Sequence, residues 1–495
     1  MKKYLLSMLM LMFCFSLTSQ ESELEKYKKS QKEDIDQWKQ ERDAELDAYK
    51  ERVEKERKEW QEYVNSVRKK WGEFSDTTPK VWSNYGNDLN SLGKVDFDNN
   101  KVEIAALIET DDPKKAEELM EKQLEILLNE KEQGTNKNFM ENQIAFEKMS
   151  AENEKKYQEK QKEFEDIRKN IERKAAEEKK TLEEKRMSEL KKMELEKKAL
   201  DEKLKNEKLI DEQEKKAKEE QKALEIKKHE IEKKLNEEKA KIEKAESEKK
   251  KELREKQEKE EQKYIKTVSV SNTDELIKEK IKKDIKKEVV VGEDGKARTK
   301  FSVTLDMVPN SVQKRAENYL DMVKTYSEKN ELDPSLVLAL IHTESAFNPK
   351  AFSRRPDGTP MACGLMQIIP SQAGRDAHKA LYGKDKIVES DYLFDPDNNL
   401  KMGTWYLKNL SKWWVNYENK NFKRTSSPEK NEYLAISSYN QGMGTILNKS
   451  YKANKLIEKS DEETYAILTT DKNIPKEGRD YLQRVADRKK LYKKD

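Results

Sequence analysis

A long stretch without glycine or proline constrains this chain more than any other feature. No glycine occurs between Gly134 and Gly292, and residues 140–262 consist mainly of Glu and Lys. Mixed opposite charges without the two strongest helix breakers are typical of long solvated helices. Apolar residues recur at every seventh position from Ile210 to Ile231, as at one of the two core positions of a coiled-coil heptad. The other core position of the heptad is mostly polar. The stretch is therefore predicted to be either a weak coiled coil or a lone helix supported by i,i+4 charge pairs.

The overall composition excludes a single large globular enzyme. The chain has 495 residues, of which 41% are charged and 34% hydrophobic. A globular chain carries about 25% charged and about 45–50% apolar residues. The 103 Lys and Arg nearly balance the 100 Asp and Glu, so the basic excess expected of a nucleic-acid-binding protein is missing. We therefore expect a mostly α-helical protein with no nucleic-acid partner and with its core concentrated in a smaller part.

The N-terminus has the parts of a secretory signal peptide. Two lysines precede the apolar run 4–17, which is shorter than the roughly 20 residues of a membrane-spanning helix, and small polar residues follow. We expect cleavage near Ser19 and export to the periplasm or cell envelope. An uncleaved anchor is the alternative, which leaves membrane association open. Phe13 stands before Cys14, where a lipid-attachment signal requires a small residue, so lipid anchoring is disfavoured.

Two patterned segments lie between the signal and the charged stretch. Residues 20–75 place aromatic and aliphatic side chains at helical spacing among charges, which predicts an amphipathic helix. Within residues 76–134, polarity alternates from Val95 to Ile104 around an Asn-Asn pair, which predicts a β-hairpin. A helix is expected from Pro113 onwards. Residues 76–134 are therefore predicted to be a small α+β unit.

Globular patterning returns after the charged stretch, in residues 264–306. A strand is predicted from Tyr264 to Val270, followed by a helix and a second hairpin. We predict that this segment joins residues 76–134 in one small α+β domain, interrupted by the charged helix or coiled coil of residues 135–263. The chain must then reverse near Asn206, although no Gly or Pro marks a turn there.

The C-terminal part carries the core that the rest of the chain lacks, because apolar runs, Gly and Pro all return. A short linker leads into it from the second α+β segment. The predicted parts are a signal peptide (1–19), an amphipathic helix (20–75), the first α+β part (76–134), a charged helix or coiled coil (135–263), the second α+β part (264–306), a linker (307–314) and the C-terminal domain (315–495).

One acidic residue stands near the end of the most apolar helix predicted for this C-terminal domain. The helix that begins at Pro334 is apolar on all sides over residues 336–341, so it should be buried. Glu344 shares a face with Val337 and Ile341. Burial and the negative end of the helix dipole both favour the neutral carboxyl, whose raised pKa would suit a general acid. The alternative is a glutamate at a helix end that points to water.

Two further segments have the composition of a sugar-binding cleft. Residues Gly364–Pro370 and Ile436–Gly442 combine glycine with amides or a phenol. Glycine allows close approach of the backbone, and amides and phenols form hydrogen bonds with hydroxyl and N-acetyl groups. Together with Glu344, these segments favour a site for a sugar polymer.

Three segments resemble the Glu-Ser, Gly-Leu-Met-Gln and Ala-Tyr-Asn motifs of the family 1 lytic transglycosylases: ALIHTESAFNPKA, GLMQIIPSQAG and AISSYNQGMG. The catalytic domain of this family is related to goose-type lysozyme. The resemblance covers about residues 315–490, and FDPDNNLKMGTWYL and RDYLQRV extend it. The upstream segment VDFDNNKVEIAALIETDDP resembles the N-terminal domain of membrane-bound, type C members of the family.

The resemblance implies a lysozyme-like α fold and a reaction on peptidoglycan glycan strands. Glu344 would protonate the glycosidic oxygen between N-acetylmuramic acid and N-acetylglucosamine. As a carboxylate it would then take the proton of the muramoyl C6 hydroxyl, which closes a 1,6-anhydro ring. The residues that the resemblance implies in substrate binding are Ser345, Gly364, Met366, Gln367, Tyr439, Asn440 and Tyr481.

Two alternatives stay open at this point. A muramidase hydrolase on the same fold would need a second acid. Asp357, in a loop that is longer than the family usually has, is a candidate for it, although Gly358 after it is typical of a turn. The second alternative is a catalytically dead wall-binding protein. The long helix would then space or clamp the wall-binding domain. Under each of these hypotheses, the long helix could also mediate self-association or bind another envelope protein.

No metal or cofactor is expected. The sequence contains three scattered histidines, and Cys363 is the one cysteine outside the N-terminal apolar run. These residues form no recognisable metal-ligand set. Cys363 is better explained as a small packed side chain than as a nucleophile.

Overall fold

The structure is a computed structural model in which α-helices predominate, as the sequence predicts. It divides into two compact units, one of residues 145–267 and one formed by the remainder of the chain. No helix within the described ranges is long and apolar enough to cross a membrane. The structure describes residues 2–135, 137–140, 143–145, 151–206, 211–265 and 270–493.

The first part of the chain begins with one long helix and continues into a sheet. Its elements are α1 (Lys2–Trp71), β1 (Val81–Tyr85), β2 (Ser91–Asp96), β3 (Lys101–Ile108) and α2 (Pro113–Asn129). The predicted hairpin is formed by β2 and β3, and α2 begins at Pro113 because Asp112 accepts a hydrogen bond from the Lys114 amide at 3.1 Å. Strand β1 was not predicted, since Ser83 and Asn84 interrupt its apolar alternation.

The charged stretch folds into two helices, α3 (Ala151–Asn206) and α4 (Asp211–Tyr264). They run antiparallel: the Gln221 Nε2 donates to Asp201 Oδ1 at 2.6 Å near one end, and the rings of Tyr157 and Tyr264 lie 6.5 Å apart at the other. The reversal that the interrupted domain requires therefore lies between these helices, where residues 207–210 fall outside the described ranges. The two helices form a charged hairpin.

The strand predicted from Tyr264 to Val270 is wrong at both of its ends. Tyr264 is the last residue of α4, because the helical pattern of the charged stretch continues up to it, and Val270 begins a short 3-10 helix. Residues 266–269 lie outside the described ranges. The elements that follow are α5 (Thr273–Asp284), β4 (Lys286–Val291) and β5 (Ala297–Asp306).

The two α+β segments join in one antiparallel sheet with the strand order β1-β2-β3-β5-β4. The junction is the β3–β5 pair, in which Val102 faces Leu305 and Ile104 faces Val303. All four of these side chains are almost fully buried. The charged hairpin is thus an insertion between a strand and its neighbour, and this confirms the interrupted α+β domain.

The C-terminal part is a cluster of helices with one small hairpin. Its elements are α6 (Ser311–Lys329), α7 (Pro334–Ser345), β6 (Phe352–Arg354), β7 (Pro360–Cys363), α8 (Arg375–Tyr382), α9 (Ser390–Phe394), α10 (Pro396–Phe422), α11 (Pro428–Gln441), α12 (Met443–Ile446), α13 (Asp461–Thr470) and α14 (Lys476–Tyr492).

Helix α7 occupies the centre of this cluster, packed against α6 and α14. Val337, Leu340 and Ile341 are fully buried, as the apolar run predicts, and each such side chain stabilises the fold by about 1.5–3 kcal/mol. Asp333 caps the helix by accepting the Ser335 amide at 2.9 Å. The end of a rigid, buried helix therefore presents Glu344.

Candidate active site

Glu344 lies one residue before the end of α7. Its side chain is half-buried, and its Oε1 accepts a hydrogen bond from the Tyr481 hydroxyl at 2.6 Å. Burial raises the pKa of this carboxyl to about 7, and nearby Glu477 acts in the same direction. The Tyr481 hydrogen bond and the positive charges of Lys80 and Arg484 act in the opposite direction. Glu344 is therefore about half protonated near neutral pH.

Two tyrosines stand at this carboxyl. Tyr481, on α14, is 2% exposed. Tyr439, on α11, donates its hydroxyl to the Met366 carbonyl at 2.9 Å. Burial and the neighbouring Glu344 carboxylate raise the pKa of both phenols well above the ordinary value. Both hydroxyls therefore stay protonated and act as hydrogen-bond donors.

The turn that follows β7 is built around Gly364 and Asn399. Gly364 has φ +75°, and a Cβ there would collide with the Asn399 amide and the Leu393 carbonyl. Asn399 is fully buried, and its Nδ2 donates to the Cys363 and Leu393 carbonyls at 2.9 and 2.8 Å. Its Oδ1 accepts the Met366 amide at 2.8 Å. One asparagine thus fixes the backbone on both sides of the turn.

A second set of bonds joins this turn to α7. The fully buried Ser345 hydroxyl lies 2.8 Å from the Leu365 carbonyl and 3.0 Å from the Ile341 carbonyl, both of which can accept from it. Gln367 adopts φ +47°, and its Nε2 donates to the Ala351 carbonyl at 3.1 Å. The end of α7 and the turn therefore form one rigid frame around Glu344.

The positions of several predicted substrate-binding residues differ from the expectation. Ser345, Gly364 and Met366 are buried, so these residues support the frame from within and do not line an open cleft. Gln367 and Asn440, like Tyr439, are partly exposed, and the Asn440 Oδ1 accepts from the neighbouring Gln441 side chain at 2.6 Å. The structure brings Glu344, Tyr481, Tyr439 and the Met366 carbonyl together, as one site.

The α+β domain contributes to this site, which the sequence did not reveal. The buried Arg315 donates to the Ala346 carbonyl at 3.0 Å, directly after α7, and to the Phe97 carbonyl at 3.2 Å. Asn348 donates to the Pro79 carbonyl at 3.2 Å. These bonds place the following residue, Lys80, beside Glu344. No local pattern could indicate this, because the bonds to the Phe97 and Pro79 carbonyls join residues that lie more than 200 positions apart in the chain.

The side chains of Asp357 and His342 are both engaged by structural partners. Asp357 is exposed, and its Oδ1 accepts the Thr359 amide at 2.9 Å, which lowers its pKa as expected of a turn residue. The His342 Nδ1 lies 2.9 Å from the Tyr492 hydroxyl. Burial lowers the His342 pKa to about 3, so this imidazole is neutral. Within the described ranges, no group of three or more His, Cys, Asp or Glu side chains could hold a metal ion.

Comparison with known proteins agrees with this geometry. Residues 321–461 match the family model described as Transglycosylase SLT domain. The membrane-bound lytic murein transglycosylase C of Klebsiella pneumoniae is 37% identical over 202 residues, which cover 40% of this chain and 52% of the relative. The protein of the same name from Salmonella arizonae is 36% identical over the same length and the same shares of both chains.

A solved structure, lytic transglycosylase Slt from Pseudomonas aeruginosa, is similar over 35% of this chain and 23% of that chain, with 22% identity and a TM-score of 0.25. The chain spans about half the length of the curated relatives it matches. The stretch that matches the SLT domain model, residues 321–461, contains Glu344, the Gly364–Gln367 turn and Tyr439.

Proposed function

We propose that this protein is a peptidoglycan lytic transglycosylase that uses one carboxyl group, Glu344, first as acid and then as base. The observation that carries the proposal is the position of Glu344 near the end of the buried helix α7, where it accepts the Tyr481 hydroxyl and where burial raises its pKa to about 7. A general acid is most effective when its pKa lies near the working pH. The names of the curated relatives, lytic murein transglycosylases, support the same reaction and substrate.

The proposed reaction has two proton transfers. Protonated Glu344 gives its proton to the glycosidic oxygen as the bond from this oxygen to C1 of N-acetylmuramic acid breaks. The N-acetyl group of the substrate stabilises the developing positive charge at C1. The Glu344 carboxylate then takes the proton of the C6 hydroxyl while O6 bonds to C1. Tyr481 stabilises the carboxylate between these steps, because it donates to Oε1.

The remaining site residues act mainly through position. Tyr439, Gln367 and Asn440 are partly exposed and bind the sugar directly. Ser345, Gly364 and Met366 hold the frame that orients these groups. Lys80 reaches the site from the α+β domain and, with its 3.1 Å partner Asp98, adds a charged pair near the acid.

Analysis of the products tests this proposal against the hydrolase alternative. Mass spectrometry of murein digests should show fragments that end in 1,6-anhydromuramic acid. Fragments with reducing ends alone would contradict the lyase reaction. The Glu477→Gln variant sharpens the test, because the exposed Glu477 is a nearby carboxyl that raises the Glu344 pKa. A lyase with one carboxyl should keep most of its activity in this variant, whereas a hydrolase that used Glu477 would lose it.

The pH dependence of kcat/KM tests the role of Tyr481. The Tyr481 hydroxyl stabilises the charged carboxylate, so Tyr481→Phe should raise the Glu344 pKa by about one unit. Activity requires the protonated acid, so the alkaline limb near pH 7 should move to higher pH while the maximum rate falls. Tyr439→Phe is the matched control, since its hydroxyl donates to the Met366 carbonyl. If the alkaline limb of kcat/KM lay at the same pH in Tyr481→Phe and Tyr439→Phe, the role of Tyr481 would be contradicted.

The proposed place of action is the cell envelope. Export through the N-terminal signal, with cleavage near Ser19, would bring the domain to its polymer, and the curated relatives are called membrane-bound. The residues assigned to the site lie outside the charged hairpin of α3 and α4 in the sequence. The charged hairpin would instead serve self-association or contact with another envelope protein, which cross-linking of the full chain in cells can test.

A further inference from the structure

An aromatic pocket in the same unit shares no lining residue with the Glu344 site. Its walls come from α1, from the loop before β1, from β1 itself and from the β6 region. Its volume is about 250 Å³, just below the range of about 300–1,000 Å³ that is typical of drug-sized ligand sites. The cavity therefore has the size of one sugar ring or a comparable group.

The apolar walls of the pocket are aromatic faces and edges. Phe74 is stacked on Tyr85 with ring centroids 5.9 Å apart, and Trp60 meets Phe74 edge-on at 6.1 Å. Trp60 and Phe74 are only half-buried, and Tyr63 is 39% exposed. Rings that remain partly open at a cavity wall offer flat faces on which the C–H groups of a pyranose can stack.

The polar part of the pocket centres on a planar guanidinium. Arg354 lies over the Phe352 ring at 4.3 Å and over the Trp60 ring at 5.5 Å, and its Nη1 is 3.5 Å from Asp76 Oδ1. Its buried Nε has no hydrogen-bond partner among the described residues. The planar set of guanidinium donors and the carboxylate acceptor, next to aromatic faces, match the hydroxyl and N-acetyl groups of a sugar.

We propose that this pocket is a second carbohydrate-binding site, which holds one N-acetylated sugar unit of a glycan strand. Trp60 stacks on the sugar ring, and Arg354 and Asp76 bind its polar groups. This proposal rests on the proposed function in one respect, because the bound sugar belongs to the polymer that Glu344 cleaves. A stem peptide fits less well, since the Arg354 charge that would attract its carboxylates is already paired with Asp76.

Two tryptophans that line the pocket can report the binding of a sugar. The chain has seven tryptophans, of which Trp60 and Trp82 line the cavity. In the full chain labelled with 5-fluorotryptophan, triacetylchitotriose should shift the ¹⁹F resonances of these two. The resonances of Trp38, which is exposed on α1, and of Trp413, which is stacked on Tyr417, should not move. The measurement is made on the Glu344→Gln protein, so that the sugar is bound but not cleaved. A failure of sugar binding in the pocket can therefore be distinguished from a failure of the proposed cleavage by Glu344.

Variants identify the groups that bind. Trp60→Leu and Arg354→Lys should each lower the affinity for the sugar by about tenfold, measured by titration of the Trp82 resonance, which both variants keep. The first variant loses the stacking face and the second loses the planar guanidinium. Trp38→Leu, on the same helix, should leave the affinity unchanged. The proposal is overturned if triacetylchitotriose shifts neither pocket resonance in the unaltered pocket. It is equally overturned if a sugar-free stem tripeptide shifts them instead.

Discussion

Replacement of Glu344 by Gln should lower the rate of murein cleavage by about a thousandfold or more. General acid catalysis contributes about 10²–10⁴-fold, and here the same group also acts as the base in the second step. Gln keeps the shape and the hydrogen-bonding capacity of the side chain but can neither give nor take the proton. The release of soluble muropeptides from purified murein, measured with equal amounts of both proteins, provides the rate.

Two controls make this result specific. Glu477→Gln removes the exposed neighbouring carboxylate and should keep most of the activity. Glu344→Gln should unfold at no lower denaturant concentration than the original protein at pH 8, because it removes the cost of ionising a carboxyl whose folded-state pKa is raised to about 7. This cost is absent well below pH 4.5, grows between pH 4.5 and about pH 7, and stays constant at higher pH. Full cleavage activity in the Gln variant would mean that another group is the acid.

Asn399→Ala should destabilise the folded protein by about 3–5 kcal/mol. The substitution removes one fully buried side chain that satisfies two carbonyls and one amide of the turn. Each backbone group left without a partner in the interior costs about 1–3 kcal/mol. Chemical denaturation followed by circular dichroism measures the change, with Asn398→Ala as the control at the adjacent, half-buried position.

The Asn399 variant also separates stability from position. The turn between Gly364 and Gln367 supplies the Met366 carbonyl that holds Tyr439, so the surviving folded fraction should bind glycan less tightly as well. A loss of stability no greater than that of Asn398→Ala would show that the turn is held by other contacts, and the frame described for Glu344 would then be wrong.

The features that could be predicted from the sequence depend on local patterns. The cap at Asp333, the proline after it and the apolar run up to Ile341 define α7 without knowledge of any distant contact, so the burial of this helix follows directly, whereas the surroundings of Glu344 at its end do not. The β2–β3 hairpin and the start of α2 follow from alternation and from the Asp112 cap in the same way.

The features that could not be predicted depend on contacts between distant parts of the chain. Ser345 stands in the motif beside Glu344, but its burial follows from the Leu365 carbonyl that it meets in the folded structure. Lys80 has no local signal, since Arg315 and Asn348 bring its segment to the end of α7. Helix α4 ends at Tyr264, the first residue of the predicted strand, because the helical pattern of the charged stretch continues up to this residue.

The central claim is that burial keeps the Glu344 carboxyl protonated near neutral pH. The most direct test is an NMR titration of the ¹³C-labelled glutamate carboxyls of the full chain, with the Glu344 resonance assigned by its loss in Glu344→Gln. The structure predicts a titration midpoint of about 7 for this resonance. A midpoint near the ordinary value of 4.5, as in an exposed glutamate, would contradict it.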